Sequence, residues 1–391
     1  MTDPSQSNVT RLREHGFWDY TTPGAGGMEK FQKSDYASLL DDMAAAGMNS
    51  LLVCVKWFTT GYRSSLPFLD QFEGNPIIES DNELLHWVIA QAASRGIKVW
   101  LSAVVSYYAC RAYGGTPEST MADLGGVPLP EKVGLYDADS PMFQERAVVI
   151  FEELVELFPG IAGLMVELEF SGNETPRRIP LYNAWAARNG APPFEKLGHP
   201  LNARNYDTPP WRDYTTHRRL EISKAIERAV RAKGFRGEMA MICETGCSDY
   251  TVCQEVNLKM FHQRMPDWTA LTYEYDKYLR RYGMMEMCLA TPKAMGLRTY
   301  YLPRGVMTWG GSWPMPISLQ ESWKMDVEDI RQFGPEGVWW FGCGTVGPGF
   351  HVDLARLRQS GFADGAAARK ALLDAVKTLK SGDCEAVKKS T

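Results

Sequence analysis

Histidine is scarce in this chain, with six among 391 residues, and none stands near a cysteine pair at a zinc-ligand spacing. Cys243, Cys247 and Cys253 cluster without CxxC spacing, so core and loop thiols are expected there and no metal site. No apolar run approaches the roughly 18 residues of a membrane span, so no transmembrane helix is expected. Basic charge is not in surplus either. Lys and Arg number 42 against 47 Asp and Glu, a net charge of −5 and a pI near 5.8, whereas a nucleic-acid or anionic-membrane partner would favour a basic face. No GxGxxG or GxxxxGK motif follows an early strand, so no nucleotide cofactor is expected. Without a GxSxG motif there is no serine-hydrolase elbow. The opening "MTDPSQSNVTRLREHG" is polar and has no apolar signal core, which makes the cytoplasm the expected compartment.

What is present is a recurring pattern. A helical segment ends in glycine and a β-prone apolar run follows: "AAAGMNSLLVCVKW", "ASRGIKVWLSAVV", "LFPGIAGLMVELEF", "AKGFRGEMAMICE", "AMGLRTYYL" and "QFGPEGVWWFGCG". Gly47, Gly96, Gly160, Gly234, Gly296 and Gly334 stand where left-handed helix caps are expected. Ser80 with Glu83 and Ser318 with Glu321 read as capping boxes. The runs are apolar on both faces, as parallel strands covered by helices should be. Strands are expected near 16–20, 50–57, 98–105, 162–169, 237–244, 270–275, 298–308 and 337–343, the seventh interrupted by Pro303. Eight alternating units predict an α/β fold, a (β/α)₈ TIM barrel over residues 1–380 with a polar tail at 381–391. The loops after strands are long and those after helices short. The longest, 171–210 after strand four, is expected to contain a short helix around "LYNAWAAR". Long βα loops gather on the C-terminal face of a barrel, where substrate clefts are built.

In "IAGLMVELEF" side chains alternate, so Met165, Glu167 and Glu169 share one face and Leu164, Val166 and Leu168 the other. The all-apolar set is expected to face the helices, which turns both glutamates into the barrel, Glu169 at the rim and Glu167 a layer deeper. Glu244 ends strand five, Glu274 ends strand six, and Asp19 and Lys56 finish the first two strands. One reading is a buried ion-pair network with Lys56 and Arg304 as counterions. Acid exceeds base, however, and an uncompensated buried carboxylate is tolerated chiefly in active sites. Two carboxyl groups, one protonated and one ionised, are the equipment of glycoside hydrolysis, and close like charges push their pKa values apart.

With its eightfold order and acidic end of strand four, the sequence resembles the TIM-barrel glycoside hydrolases. The resemblance implies a catalytic carboxylate at Glu169 or Glu167, and acid–x–acid there is similar to families acting on amino sugars. Strand seven, "TYYLPRGVMTW", offers no carboxylate, so the partner is expected from Glu244 or Glu274. The expected enzyme is a retaining O-glycosidase acting on an oligosaccharide or small glycoside, with no cofactor and with a homo-oligomer compatible. Sugar-stacking candidates are Trp57, Tyr107, Tyr275, Trp309, Trp313 and Trp340, alongside Asp19, Lys56 and Arg304 as substrate-binding groups. Arg63, Arg111, Arg177 and Arg178 could read an anionic sugar. The alternatives are a metal-dependent sugar isomerase or epimerase using Glu169, Glu244 and Glu274 as ligands, and a non-catalytic carbohydrate-binding barrel.

Overall fold

The computed structural model describes residues 12–20, 31–56, 60–69, 71, 74–106, 139, 141–169, 178–197, 208–243, 256–273, 285–306, 317–344 and 354–381. Its strands are β1 (Glu14–Tyr20), β2 (Ser50–Lys56), β3 (Lys98–Ser106), β4 (Gly163–Glu169), β5 (Glu238–Ile242), β6 (Thr269–Tyr273), β7 (Thr299–Leu302), β8 (Arg304–Val306) and β9 (Gly337–Cys343). They pair in parallel around a circle that closes where β1 meets β9, with Gly16 opposite Trp339. Parallel neighbours need crossovers, and the crossovers are helical. These are α1 (Lys33–Ala45), α2 (Pro76–Glu79), α3 (Glu83–Ser94), α4 (Pro141–Leu157), α5 (Arg178–Asn189), α6 (Pro209–Ala232), α7 (Leu258–Arg264), α8 (Thr291–Ala294), α9 (Leu319–Phe333), α10 (Leu354–Gln359) and α11 (Gly365–Ser381). The result is a closed eight-stave (β/α)₈ barrel.

The seventh stave is split as Pro303 requires. Proline has no N–H to donate to the ladder, so β7 ends at Leu302 and β8 resumes at Arg304 beside Phe341 of β9. The Pro303 carbonyl still accepts from the Phe341 N–H at 2.9 Å, which keeps the stave in line. Five of the six glycines expected at helix ends, Gly47, Gly96, Gly234, Gly296 and Gly334, have φ between 56° and 90°. Gly160 differs and is absent from the left-handed region. The helix there stops at Leu157, ahead of Pro159, and Gly160 instead lets the chain approach Ile89, whose Cγ2 would lie 3.1 Å from a Cβ. Ser318 and Glu321 form the expected capping box at α9. Ser80 does not cap with Glu83; Asn82 takes the cap position and Ser80 Oγ accepts from the Leu84 N–H. The expected helix in the long excursion is α5, which packs Tyr182 and Trp185 against Trp211 and Tyr214 of α6 as a small separate core.

Two apolar layers follow from strand alternation. Leu51, Val53, Val55, Leu101, Val105, Leu164, Val166 and Leu168 face outward onto Leu39, Leu40, Val88, Ile150 and Leu154 of α1, α3 and α4. Each such fully buried side chain contributes about 1.5–3 kcal/mol. Trp18, Leu52, Cys54, Trp100, Val104, Met165, Leu271, Tyr300, Trp339 and Phe341 face inward and fill the barrel.

Candidate active site

The barrel interior is plugged from its N-terminal end. Trp100 lies edge-to-face with Trp339 at 5.0 Å and with Tyr300 at 6.4 Å, and Tyr300 meets Trp339 edge-on at 5.1 Å. These rings fit because glycines stand beside them. A Cβ on Gly163 would lie 2.3 Å from Trp100 Cε3, and one on Gly337 would lie 2.6 Å from Tyr300 Cδ1. Beneath the rings Lys98 Nζ pairs with the buried Glu14 at 2.6 Å, and Arg13 and Arg298 both reach Glu238, at 2.6 and 3.2 Å. Burial pushes the Glu14 carboxyl up, against the pull of Lys98. Burial also pushes the Tyr300 phenol up, helped by Glu14 and Glu238. Among the described residues these rings fill the N-terminal end of the interior.

At the C-terminal end the interior turns polar. Trp18 Nε1 donates to Ser102 Oγ at 3.2 Å, and the Cys54 thiol donates to the Lys56 carbonyl at 3.4 Å. Lys56 is fully buried, and its Nζ donates to the Val104 carbonyl at 3.3 Å. Val104 is the Cα partner of Glu167, and Ser106 that of Glu169. Glu167 is buried, on the same face as the inward Met165. Burial pushes the Cys54 thiol far up; the Glu167 carboxylate adds to that effect and Lys56 opposes it. The charges of Glu167 and Lys56 both act on the Cys54 thiol inside the barrel. Arg304 is buried as well, opposite the inward-facing Phe341.

Several expected site residues stand elsewhere. Trp340 is fully buried in the outward layer against the helices, and its Nε1 donates to His15 Nε2 at 3.2 Å, so it is not placed to stack on a sugar. Alternation along "VWWF" turns Trp339 inward and Trp340 out. Asp19 likewise shares the face of the outward Phe17. It accepts from the Cys343 thiol at 2.8 Å, and Arg369 of α11 donates both to the Cys343 carbonyl and to Asp42 of α1. Asp19 thus bonds within the seam that closes the barrel. Two of the arginines considered for an anionic sugar are engaged with the fold. Arg63 donates to the Ile78 carbonyl and pairs with Asp81, and the buried Arg178 pairs with Asp139 at 2.7 Å. Glu244, Glu274, Trp57, Tyr107, Tyr275, Trp309, Trp313, Arg111 and Arg177 lie outside the described residues, as does the side chain of Glu169. Ser102 and Cys54, which line the interior, were not singled out as site residues in sequence; two uncharged residues among apolar neighbours leave only their strand parity as a signal. Among the described residues no group of three or more His, Cys, Asp and Glu side chains could hold a metal ion, and no helix is long and apolar enough to cross a membrane.

No protein-family model matches the sequence, and no curated protein matches it. Solved structures do resemble the fold. A β-galactosidase from the Antarctic haloarchaeon Halorubrum lacusprofundi superposes with a TM-score of 0.63 at 14% identity, over 94% of this chain and 58% of that one. One from the psychrophilic Marinomonas ef1 gives 0.62 at 14% identity, over 93% and 59%. An exo-β-N-acetylglucosaminidase from Vibrio harveyi gives 0.52 at 14% identity, over 94% and 54%. This chain spans between half and three fifths of the length of those proteins. At this identity the likeness is one of fold: the chain has the closed parallel (β/α)₈ barrel that these glycoside hydrolases have.

Proposed function

We propose that the protein is a glycoside hydrolase that cleaves an oligosaccharide or small glycoside with retention of configuration, through carboxylates at the C-terminal ends of its strands. The carrying observation is the buried, inward Glu167, two residues below the strand-ending Glu169, in a barrel plugged beneath and polar above. In this reading Glu169 protonates the leaving oxygen, and Glu244 or Glu274 attacks the anomeric carbon to form a glycosyl-enzyme. Glu169, now ionised, then takes a proton from the water that releases the sugar. Glu167 sets the charge beneath Glu169 and so tunes its proton affinity. Trp57, Tyr107, Tyr275, Trp309 and Trp313 are the candidates to stack on sugar rings, with Arg304 as a polar contact. The catalytic unit is one barrel, residues 1–380, with 171–210 as its largest cleft-side excursion. The fold is shared with proteins described as β-galactosidases and as an N-acetylglucosaminidase, which makes aryl β-galactosides and N-acetyl-β-glucosaminides the first substrates to try.

The test is substitution with turnover and melting measured together. Glu169→Gln keeps the shape and removes the proton, so kcat is expected to fall on the order of 10²–10⁴-fold with little change in melting temperature. Glu167→Gln is expected to lose less activity and to shift the pH optimum. An active Glu169→Gln that melts many degrees lower would make the pair structural and remove this reading's main support.

A further inference from the structure

The floor of the barrel is a layer of charge. Strand alternation gives Glu14 of β1 the face of Trp18, Lys98 of β3 that of Trp100, Glu238 of β5 that of Ala240, and Arg298, just before β7, that of Tyr300. A barrel interior is filled in layers of four side chains from alternate strands, and this lowest layer alternates in sign around the circle. Its members keep different amounts of water. The Glu14 side chain is fully buried, whereas those of Lys98, Arg298 and Glu238 are 46%, 29% and 26% exposed. Glu14 Oε1 accepts from Lys98 Nζ at 2.6 Å, but Oε2 accepts no hydrogen bond of normal length, and Tyr300 Oη is equally without a partner. Glu14 and Tyr300 each stand opposite Gly337 of β9. The Tyr300 ring lies over that glycine, where a Cβ would meet it at 2.6 Å, so β9 puts no side chain between the phenol and the carboxyl.

A dry carboxylate with one oxygen unbonded stays ionised at a cost that a half-exposed lysine offsets only in part. We infer that Glu14 is a proton-operated pin in the barrel floor: it takes up a proton in mild acid while the protein stays folded, and the fold is tightened when it does. The groups around it set that direction. Burial opposes its charge most, Lys98 and more weakly the Ser50 hydroxyl of β2 favour it, and the Glu238 carboxylate opposes it again. Arg13, its neighbour in the chain, and Arg298 are both engaged with Glu238, at 2.6 and 3.2 Å. Thr269 of β6 is uncharged, and β4 and β9 begin with Gly163 and Gly337. His15 turns to the other face of β1, where it accepts from Trp340. A proton on Oε2 has Tyr300 Oη as the acceptor across Gly337. The device requires nothing of the chemistry proposed for the opposite end.

A folded-state pKa above the unfolded value gives stability that is complete below the unfolded pKa, about 4.3 for Glu, and is lost as the pH rises through the folded value. Two measurements on the full-length protein test this. Glutamate labelled with carbon-13 at Cδ is titrated by NMR. The Glu14 resonance is identified by its loss in Glu14→Gln or, should that variant not fold, by its displacement in Lys98→Met. In the wild type it is expected to titrate above the ordinary glutamate midpoint of about 4.3. Urea melts give the second reading. Glu14→Gln is uncharged at every pH, so its urea midpoint relative to the wild type is expected to be highest at neutral pH and to decline as the pH falls toward about 4. A Glu14 midpoint at or below the ordinary value overturns the inference. So does a difference between Glu14→Gln and the wild type that stays level or grows in acid. Neither measurement involves turnover, so both decide the role of Glu14 whether or not a glycoside is cleaved.

Discussion

Glu153 and Glu167 are both buried carboxylates, and the fold holds them in different ways. Glu153 of α4 accepts from Tyr62 Oη, Ser64 Oγ, and the N–H and hydroxyl of Ser65, at 2.5–2.7 Å. Every donor there is uncharged and comes from the stretch that follows β2, so Glu153 is an anchor that ties that stretch to α4. Glu167 is instead buried on the inward face of β4, close enough for its charge to act on the Cys54 thiol. The glycines beside the interior rings are just as specific. Gly163 stands opposite Trp100, whose ring occupies the place a side chain would need. Gly163→Ala is therefore expected to destabilise the protein by about 1–3 kcal/mol or more through overpacking. Gly96→Asn serves as a control, because Gly96 has φ +71° and nothing within 4 Å of a Cβ; asparagine tolerates that left-handed backbone. Denaturant melts of the two variants check this, and equal losses would contradict the packing account.

At the scale of elements, the segment that precedes α4 is clasped to the excursion that follows β4. Asp139 is buried and pairs with Arg178 of α5 at 2.7 Å and with Arg218 of α6 at 2.9 Å. Burial alone would raise its carboxyl, but the two guanidiniums outweigh burial and hold it below the usual carboxylate range. A folded-state pKa below the unfolded value stabilises the fold above the unfolded pKa, about 3.9 for Asp. That stability is lost as the pH falls through the folded value. Asp139→Asn is accordingly expected to cost about 3–5 kcal/mol near neutral pH, since two buried or half-buried arginines lose their anion. The gap to the wild type should close as the pH is lowered from about 4. Urea melts across that range test it; a gap that does not change with pH would mean the clasp acts by shape and not by charge. Because α5 and α6 also share the aromatic core of Tyr182, Trp185, Trp211 and Tyr214, the excursion should loosen before the barrel does.

At the scale of the whole molecule, the proposed reaction needs two carboxylates on neighbouring staves of the barrel. Strand five pairs directly with β4, Met165 opposite Ala240, and strand six pairs with strand five. Carboxyl groups on such close staves suit the separation of about 5–5.5 Å used by retaining enzymes better than the 6.5–9.5 Å of inverting ones. The first product formed is thus expected to keep the anomeric configuration of the substrate. NMR during the first turnovers reads this directly, and the opposite anomer would contradict it. Much of this architecture was legible in the sequence. Runs such as "LLVCVKW" and "GLMVELEF", each preceded by a helix and a glycine, specify parallel strands because only strands covered on both faces can be apolar throughout, and Pro303 marks the break in the seventh stave because it lacks an N–H. The same apolarity hides which face is which. In "GFWDY" and "VWWF" both parities carry large side chains, so nothing local says that Trp18 and Trp339 turn inward while Asp19 and Trp340 turn out. That was decided by closure of the barrel, which gives Asp19 the Cys343 thiol and Trp340 the His15 ring. The sequence by itself determined the order of the elements and the acidic end of β4, since these depend on local propensity and period. The tertiary structure alone decided the register slip between β2 and β3 at Lys56, whose ammonium donates to the Val104 carbonyl, because a register exists only once two distant strands have met.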